Sequence, residues 1–70
     1  MEIQIRENET FIRLGQALKK AGLVSSGIEA KMVILDGLVT VNEETETRRG
    51  RKLYSGDAIS FGNEIIKIKK

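Results

Sequence analysis

Apolar and polar positions alternate at two different periods along this chain, and each change of period marks an element. Ile3 and Ile5 alternate with Glu2, Gln4 and Arg6, the period of two expected of a short strand with one buried face. From Phe11 the spacing changes. Phe11, Leu14, Leu18 and Ala21 recur at intervals of three and four, which predicts an amphipathic helix. Thr10 is its expected N-cap and Gly22 its stop. Its outer face would carry Arg13, Gln16, Lys19 and Lys20, the two lysines complementing the negative end of the helix dipole. Gly22-Leu23-Val24 leaves room only for a tight turn, so a second helix should pack face to face with the first.

The central stretch carries the strongest start and stop signals. Ser26 and Glu29 have the spacing of a capping box, in which hydroxyl and carboxylate each satisfy an orphan backbone N–H. The helix they open should run to Leu35 and stop at Gly37, since glycine takes the left-handed conformation without a Cβ penalty. Leu38 to Asn42 returns to the strand period, with Val39 and Val41 inward. Asn42-Glu43 lacks the glycine of a strong two-residue hairpin signal, so a looser turn is expected. Thr45, Thr47 and Leu53 are assigned to a second strand, Tyr54 to Asp57 to a turn, and Ala58 to Phe61 to a third strand. Gly62-Asn63 is a hairpin turn before a last strand, Glu64 to Lys69, with Ile66 and Ile68 on its inner face. The order predicts an α+β domain: two packed N-terminal helices, then a small, mainly antiparallel sheet, with an N-terminal flanking strand. Gly15, inside the first helix, is explained by close approach of the second helix, or of a ligand.

Seventy residues are expected to make one domain with a modest core. Composition removes several classes of function. There is no histidine and no cysteine, so the usual general bases, thiol nucleophiles, transition-metal ligands and disulfides are missing. No glycine-rich phosphate loop appears. Glu43, Glu44 and Glu46 match no calcium loop and read as an exposed charged turn. No enzyme, cofactor, metal or small-molecule substrate is expected. The N-terminus has no signal-peptide pattern and the longest apolar run, Met32 to Leu35, is too short for a bilayer. A cytoplasmic monomer without membrane contact is the expectation.

Net charge is only +2, but its distribution is uneven. Arg48, Arg49, Arg51 and Lys52 crowd into Arg-Arg-Gly-Arg-Lys, and arginine makes two-point contacts to phosphate that lysine cannot. The run is read as a projecting arm, free of helical glutamate partners, with Lys19, Lys20 and Lys31 of the helix pair as companions. Lys67, Lys69 and Lys70 are read as a solubilising tail in preference to a second contact surface. Phe11 and Phe61 are assigned to the core, which leaves little aromatic surface for base stacking.

With those residues in view the chain resembles a known domain. Phe11-Ile-Arg-Leu-Gly, Gly22-Leu-Val-Ser-Ser-Gly-Ile-Glu-Ala-Lys31, Asp36-Gly-Leu-Val-Thr-Val-Asn42 and Gly56-Asp57 are similar to the S-four RNA-binding domain. This is the αL motif of small-subunit ribosomal protein four, pseudouridine synthases and tyrosyl-tRNA synthetases. The likeness spans about 11–61, and the flanking strands and Glu46-Thr-Arg-Arg49 look most like the stand-alone bacterial YaaA/YbcJ type. The resemblance implies binding of structured RNA, ribosomal RNA or an assembling ribosomal particle, by shape and phosphate contacts. Carried over by position, it implies an RNA face of Arg13, Ser25, Ser26, Lys31, Arg48, Arg49, Arg51 and Lys52. Two positions depart from the larger family, which has aspartate where Gly15 stands and arginine where Gly27 stands. The alternatives are a helix-turn-helix DNA binder and a protein–protein adaptor that docks an acidic partner.

Overall fold

Nine short elements succeed one another in the computed structural model, which describes residues 1–70. They are β1 (Glu2–Gln4), β2 (Ile12–Arg13), α1 (Leu14–Lys20), α2 (Gly27–Leu35), β3 (Val39–Val41), β4 (Glu44–Thr45), β5 (Lys52–Leu53), β6 (Ala58–Phe61) and β7 (Glu64–Lys69). Five strands form a sheet in the order β1-β7-β6-β3-β4. Only the β1–β7 pair is parallel; the other pairs are antiparallel. A separate antiparallel ribbon joins β2 to β5, with Ile12 opposite Leu53 and Arg13 opposite Lys52. The α+β architecture expected from the periodicities is the one observed, flanking strand included.

Both helices end the same way. In α2 the Gly37 N–H donates to Ile34 and the Leu38 N–H to Val33, each at 3.1 Å. In α1 the Gly22 N–H reaches Lys19 at 3.0 Å and the Leu23 N–H reaches Leu18 at 3.1 Å. This paired pattern is a Schellman motif, and it requires the positive φ that Gly22 and Gly37 both adopt. Each glycine therefore turns the chain sharply into the next element. At the other end of α2, the Ser26 hydroxyl accepts from the Glu29 N–H at 3.1 Å. The return bond differs from a reciprocal box: the Glu29 carboxylate accepts from the N–H and hydroxyl of Ser25, one residue earlier.

One core joins the layers. Leu14, Ala17 and Leu18 of α1 meet Ala30 and Ile34 of α2, and both pack on Ile3, Val39, Val41, Ile59, Ile66 and Ile68 of the sheet. Leu53 from the ribbon is fully buried among them. The alternating strands thus present one face each, as their period requires. By contrast α2 is apolar on both sides, and Ile28, Met32 and Leu35 lie exposed on its outer flank.

Several local expectations are corrected. Thr10 is not a cap: residues 12–13 form β2, α1 begins at Leu14, and Arg13 is its N-cap, with its N–H donating to Gln16 Oε1 at 3.2 Å. Pairing with β5 overrides the helical period at Phe11. Leu53 accordingly belongs to the ribbon and not to a continuation of β4. The Asn42-Glu43 turn is tight, both residues having positive φ (52° and 73°) between the paired Val41 and Glu44. Asn42 holds it by accepting from the Ala58 N–H and donating to Asp57. The C-terminal lysines are not a loose tail. Lys67 and Lys69 lie in β7, Lys69 is 3.2 Å from Glu2, and the Lys70 ammonium donates to the carbonyls of Arg6, Glu7 and Glu9.

Candidate nucleic-acid interface

The arginine-rich segment is fastened to the start of α1. The turn closes on itself through the Arg51 N–H and the Arg48 carbonyl at 3.2 Å. Its carbonyls then accept from the helix: Arg51 from the Leu14 N–H at 2.9 Å and Arg49 from the Gly15 N–H at 3.0 Å. The first amides of a helix lack partners within it, so these bonds satisfy groups that would otherwise need water or a ligand. Arg13 adds a third tie, Nη1 donating to the Gly50 carbonyl at 2.7 Å. The close approach at Gly15 is therefore to this segment and not to α2. A Cβ there would sit 2.8 Å from Arg49 Cγ.

Glu46 corrects two expectations at once. It is buried, at 6% exposure, not part of an exposed acidic turn. Its carboxylate accepts from the N–H, Nε and Nη2 of Arg48 and from Nη1 of Arg51. The basic segment thus has a glutamate partner after all, two residues before its first arginine. Hydrogen bonds from Arg48, aided by Arg51, outweigh the cost of burial and hold the Glu46 carboxyl down at about 2. The same pairing raises Arg48 further above its ordinary value.

What remains is a cationic groove. Arg13, Arg48, Gly50, Arg51 and Lys52 line an open concavity of about 620 Å³ with no apolar residue in its wall. Arg49 lies beside it over Gly15, with no carboxylate partner. Five cations face one carboxylate here, and Glu46 spends its oxygens on orienting two of them. Two arginines and a lysine come from residues that are neighbours in sequence, but Arg13 arrives only through the β2–β5 pairing.

The other residues singled out from sequence lie elsewhere. Lys19 and Lys20 line a second concavity, of about 480 Å³, together with Gln4, Arg6, Glu9, Ile12 and Gln16. Lys20 Nζ also donates to the Gln4 carbonyl at 3.0 Å. Lys31 is exposed on α2. Ser25 and Ser26 are engaged with Glu29 at the helix start, and the Ser25 N–H, followed by its hydroxyl, lowers the Glu29 pKa.

Aromatic residues supply a feature that the sequence reading missed. Phe11 is not in the core. The alternation across β2 and β5 sends Ile12 and Leu53 inward, so Phe11, Arg13, Lys52 and Tyr54 share the outer face. Arg13 Cζ lies 5.4 Å and Lys52 Nζ 4.8 Å from the Phe11 ring centre. Tyr54 stands 6.2 Å from the same ring, tilted by 55°. The signal was present in the triplet Lys52-Leu53-Tyr54, whose central residue alone is buried.

This combination of helix pair, ribbon and sheet matches a known family. A family model described as S4 domain matches residues 3–69. The chain belongs to the S4 domain family. Among its S4 relatives is the "Probable ribosome maturation protein RlbA" of Bacillus subtilis (strain 168), 50% identical over 51 residues, or 73% of this chain and 72% of that protein. YbcJ of Escherichia coli (strain K12) is 33% identical over 57 residues, 81% of each chain. The solution structure of YbcJ from E. coli, described as revealing an αL motif involved in RNA binding, superimposes with a TM-score of 0.72 at 28% identity. That match covers 99% of this S4 chain and 86% of the YbcJ chain. No helix of this S4 domain is long and apolar enough to cross a membrane.

Proposed function

We propose that this protein binds structured RNA through the groove formed by Arg13, Arg48, Arg51 and Lys52 with Arg49 at its rim, and that it acts in ribosome maturation. The observation that carries this reading is the fastening of an arginine turn to the start of α1, which presents several cations in fixed positions at one concavity. Fixed guanidinium groups suit phosphates whose spacing is itself fixed by a folded RNA. The names of RlbA and the description of YbcJ support the same direction. Lys19, with Arg6 and Lys20 in the second concavity, and Lys31 on α2 extend the positive surface as outlying phosphate contacts. Ser25 and Ser26 serve mainly to cap α2. The whole chain works as one domain, as a monomer in the cytoplasm, without cofactor or chemistry of its own. A DNA-reading role for α2 is disfavoured because Ile28, Met32 and Leu35 on its outer flank offer no hydrogen bonds to base edges.

The test avoids stripping Glu46 of its partners. Arg49→Gln with Lys52→Gln removes two cations that Glu46 does not use. Binding of ribosomal RNA fragments should weaken about tenfold at moderate salt, and the log–log salt slope should become shallower by about 1.5 to 2. Thermal melting should hardly move. Unchanged affinity, or equal competition by duplex DNA, would overturn the reading.

A further inference from the structure

The outer face of the β2–β5 ribbon holds two aromatic rings among the cations of the groove. Resting on the RNA-binding reading above, we infer that Tyr54 is a stacking platform for an unpaired base, so that the preferred ligand is RNA in which a single-stranded nucleotide flanks a folded, phosphate-presenting segment.

Three observations lead there. Tyr54 is 49% exposed although its strand neighbour Leu53 is fully buried, so the ring covers no core. It follows Lys52 by two residues, and Lys52 lines the groove, so the ring stands on the same side as that cation and next to it. Finally, Phe11 is already engaged: Arg13 and Lys52 approach its ring at 5.4 and 4.8 Å, while Tyr54 leans on it at 55°. Phe11 thereby props Tyr54 and gathers the two cations beside it, leaving the tyrosine ring as the open aromatic surface. A base on Tyr54 would have its own phosphate within reach of Lys52 and Arg13. This is the pairing of stacking and charge found where proteins hold single strands, here built at the edge of a site for folded RNA. Phe11 is a positioning residue in this arrangement, and Tyr54 the contact.

The chain offers its own probe, since Tyr54 is the sole tyrosine and there is no tryptophan. A blunt RNA duplex and the same duplex with unpaired adenosines at its 3′ ends would be titrated into the intact protein, following tyrosine fluorescence and affinity. The overhang should quench the fluorescence and tighten binding; the blunt duplex should bind without quenching. Tyr54→Ala should weaken binding of the overhang RNA about tenfold, leave the blunt duplex unaffected, and leave the salt slope unchanged. Tyr54→Phe should restore the affinity. The inference falls if the overhang gives no gain and no quenching, or if Tyr54→Ala weakens both RNAs equally or neither. Should neither RNA bind the wild-type protein at all, the RNA-binding reading falls with it; binding of both RNAs that depends on Arg49 and Lys52, with the overhang RNA also indifferent to Tyr54, removes only the stacking site.

Discussion

Gly15 and Arg49 are locked together: the amide of the first donates to the carbonyl of the second at 3.0 Å, and the arginine side chain occupies the space a Cβ would need. Gly15→Ala should therefore behave unlike an ordinary helical glycine replacement. Helix propensity alone would add about 1 kcal/mol, but overpacking against Arg49 Cγ costs about 1–3 kcal/mol, so net destabilisation of about 1 kcal/mol is expected. Displacement of the arginine turn should also weaken RNA binding several-fold. Adding Arg49→Ala removes the atoms that clash, so the double variant should melt higher than Gly15→Ala alone. A melt in which the two changes simply add would show that the contact does not matter.

Glu46 orders the groove rather than opposing it. Its carboxyl is depressed to about 2 by the Arg48 and Arg51 hydrogen bonds. A depressed acid contributes stability that is fully present above its unfolded value near 4.5 and is lost as pH falls through about 2. Glu46→Gln should accordingly destabilise the protein by about 1–3 kcal/mol near neutral pH, and the gap from wild type should close as pH falls from about 4.5 to about 2. Amide exchange at the Arg48 N–H, which donates to Glu46, should quicken in the variant. A stability difference that stays constant down to the lowest pH would contradict this role.

What could be read from sequence divides along a physical line. The glycine stops of both helices, the start of α2 at Ser26, the strands around Val39, Ile59 and Ile66, and the flanking strand at Ile3 follow from local periodicity and from glycine and serine chemistry, so they are legible in the sequence. The β2–β5 ribbon was not, because each of its strands has only two residues and its pairing joins positions about forty apart. Three errors at the site descend from that pairing: the helix start at Phe11, the assignment of Phe11 to the core, and the placing of Arg13 on a helix face instead of in β2. Glu46 was misread for a related reason. Its neighbours Glu43 and Glu44 are exposed, and nothing in the residue order distinguishes the one that folds under the arginines.

The Asn42-Glu43 turn stores a local cost that can be removed. Asparagine tolerates a left-handed conformation, but Glu43 at φ 73° does not adopt it readily. Glu43→Gly should stabilise the hairpin by about 0.5–1 kcal/mol after the entropic penalty of glycine is subtracted. In a domain of this size that corresponds to a rise in melting temperature of roughly 2–8 °C. Glu43 lies outside the cationic groove, so RNA affinity should be unchanged. A fall in melting temperature would mean that the glutamate side chain contributes more than its backbone costs.

Ser26 separates capping from RNA contact at the start of α2. Its hydroxyl accepts from the Glu29 N–H, while the Glu29 carboxylate, anchored by Ser25, places a negative charge at the same helix end. That carboxylate already complements the helix dipole, so an RNA phosphate would meet repulsion there rather than a vacant anion site. Ser26→Ala should cost about 1 kcal/mol of stability through loss of the cap and leave the affinity for RNA within about twofold of wild type. Thermal melts and filter binding on the same preparation measure both. If affinity drops while stability holds, the hydroxyl touches RNA after all, and the binding face extends from the groove to the head of the second helix.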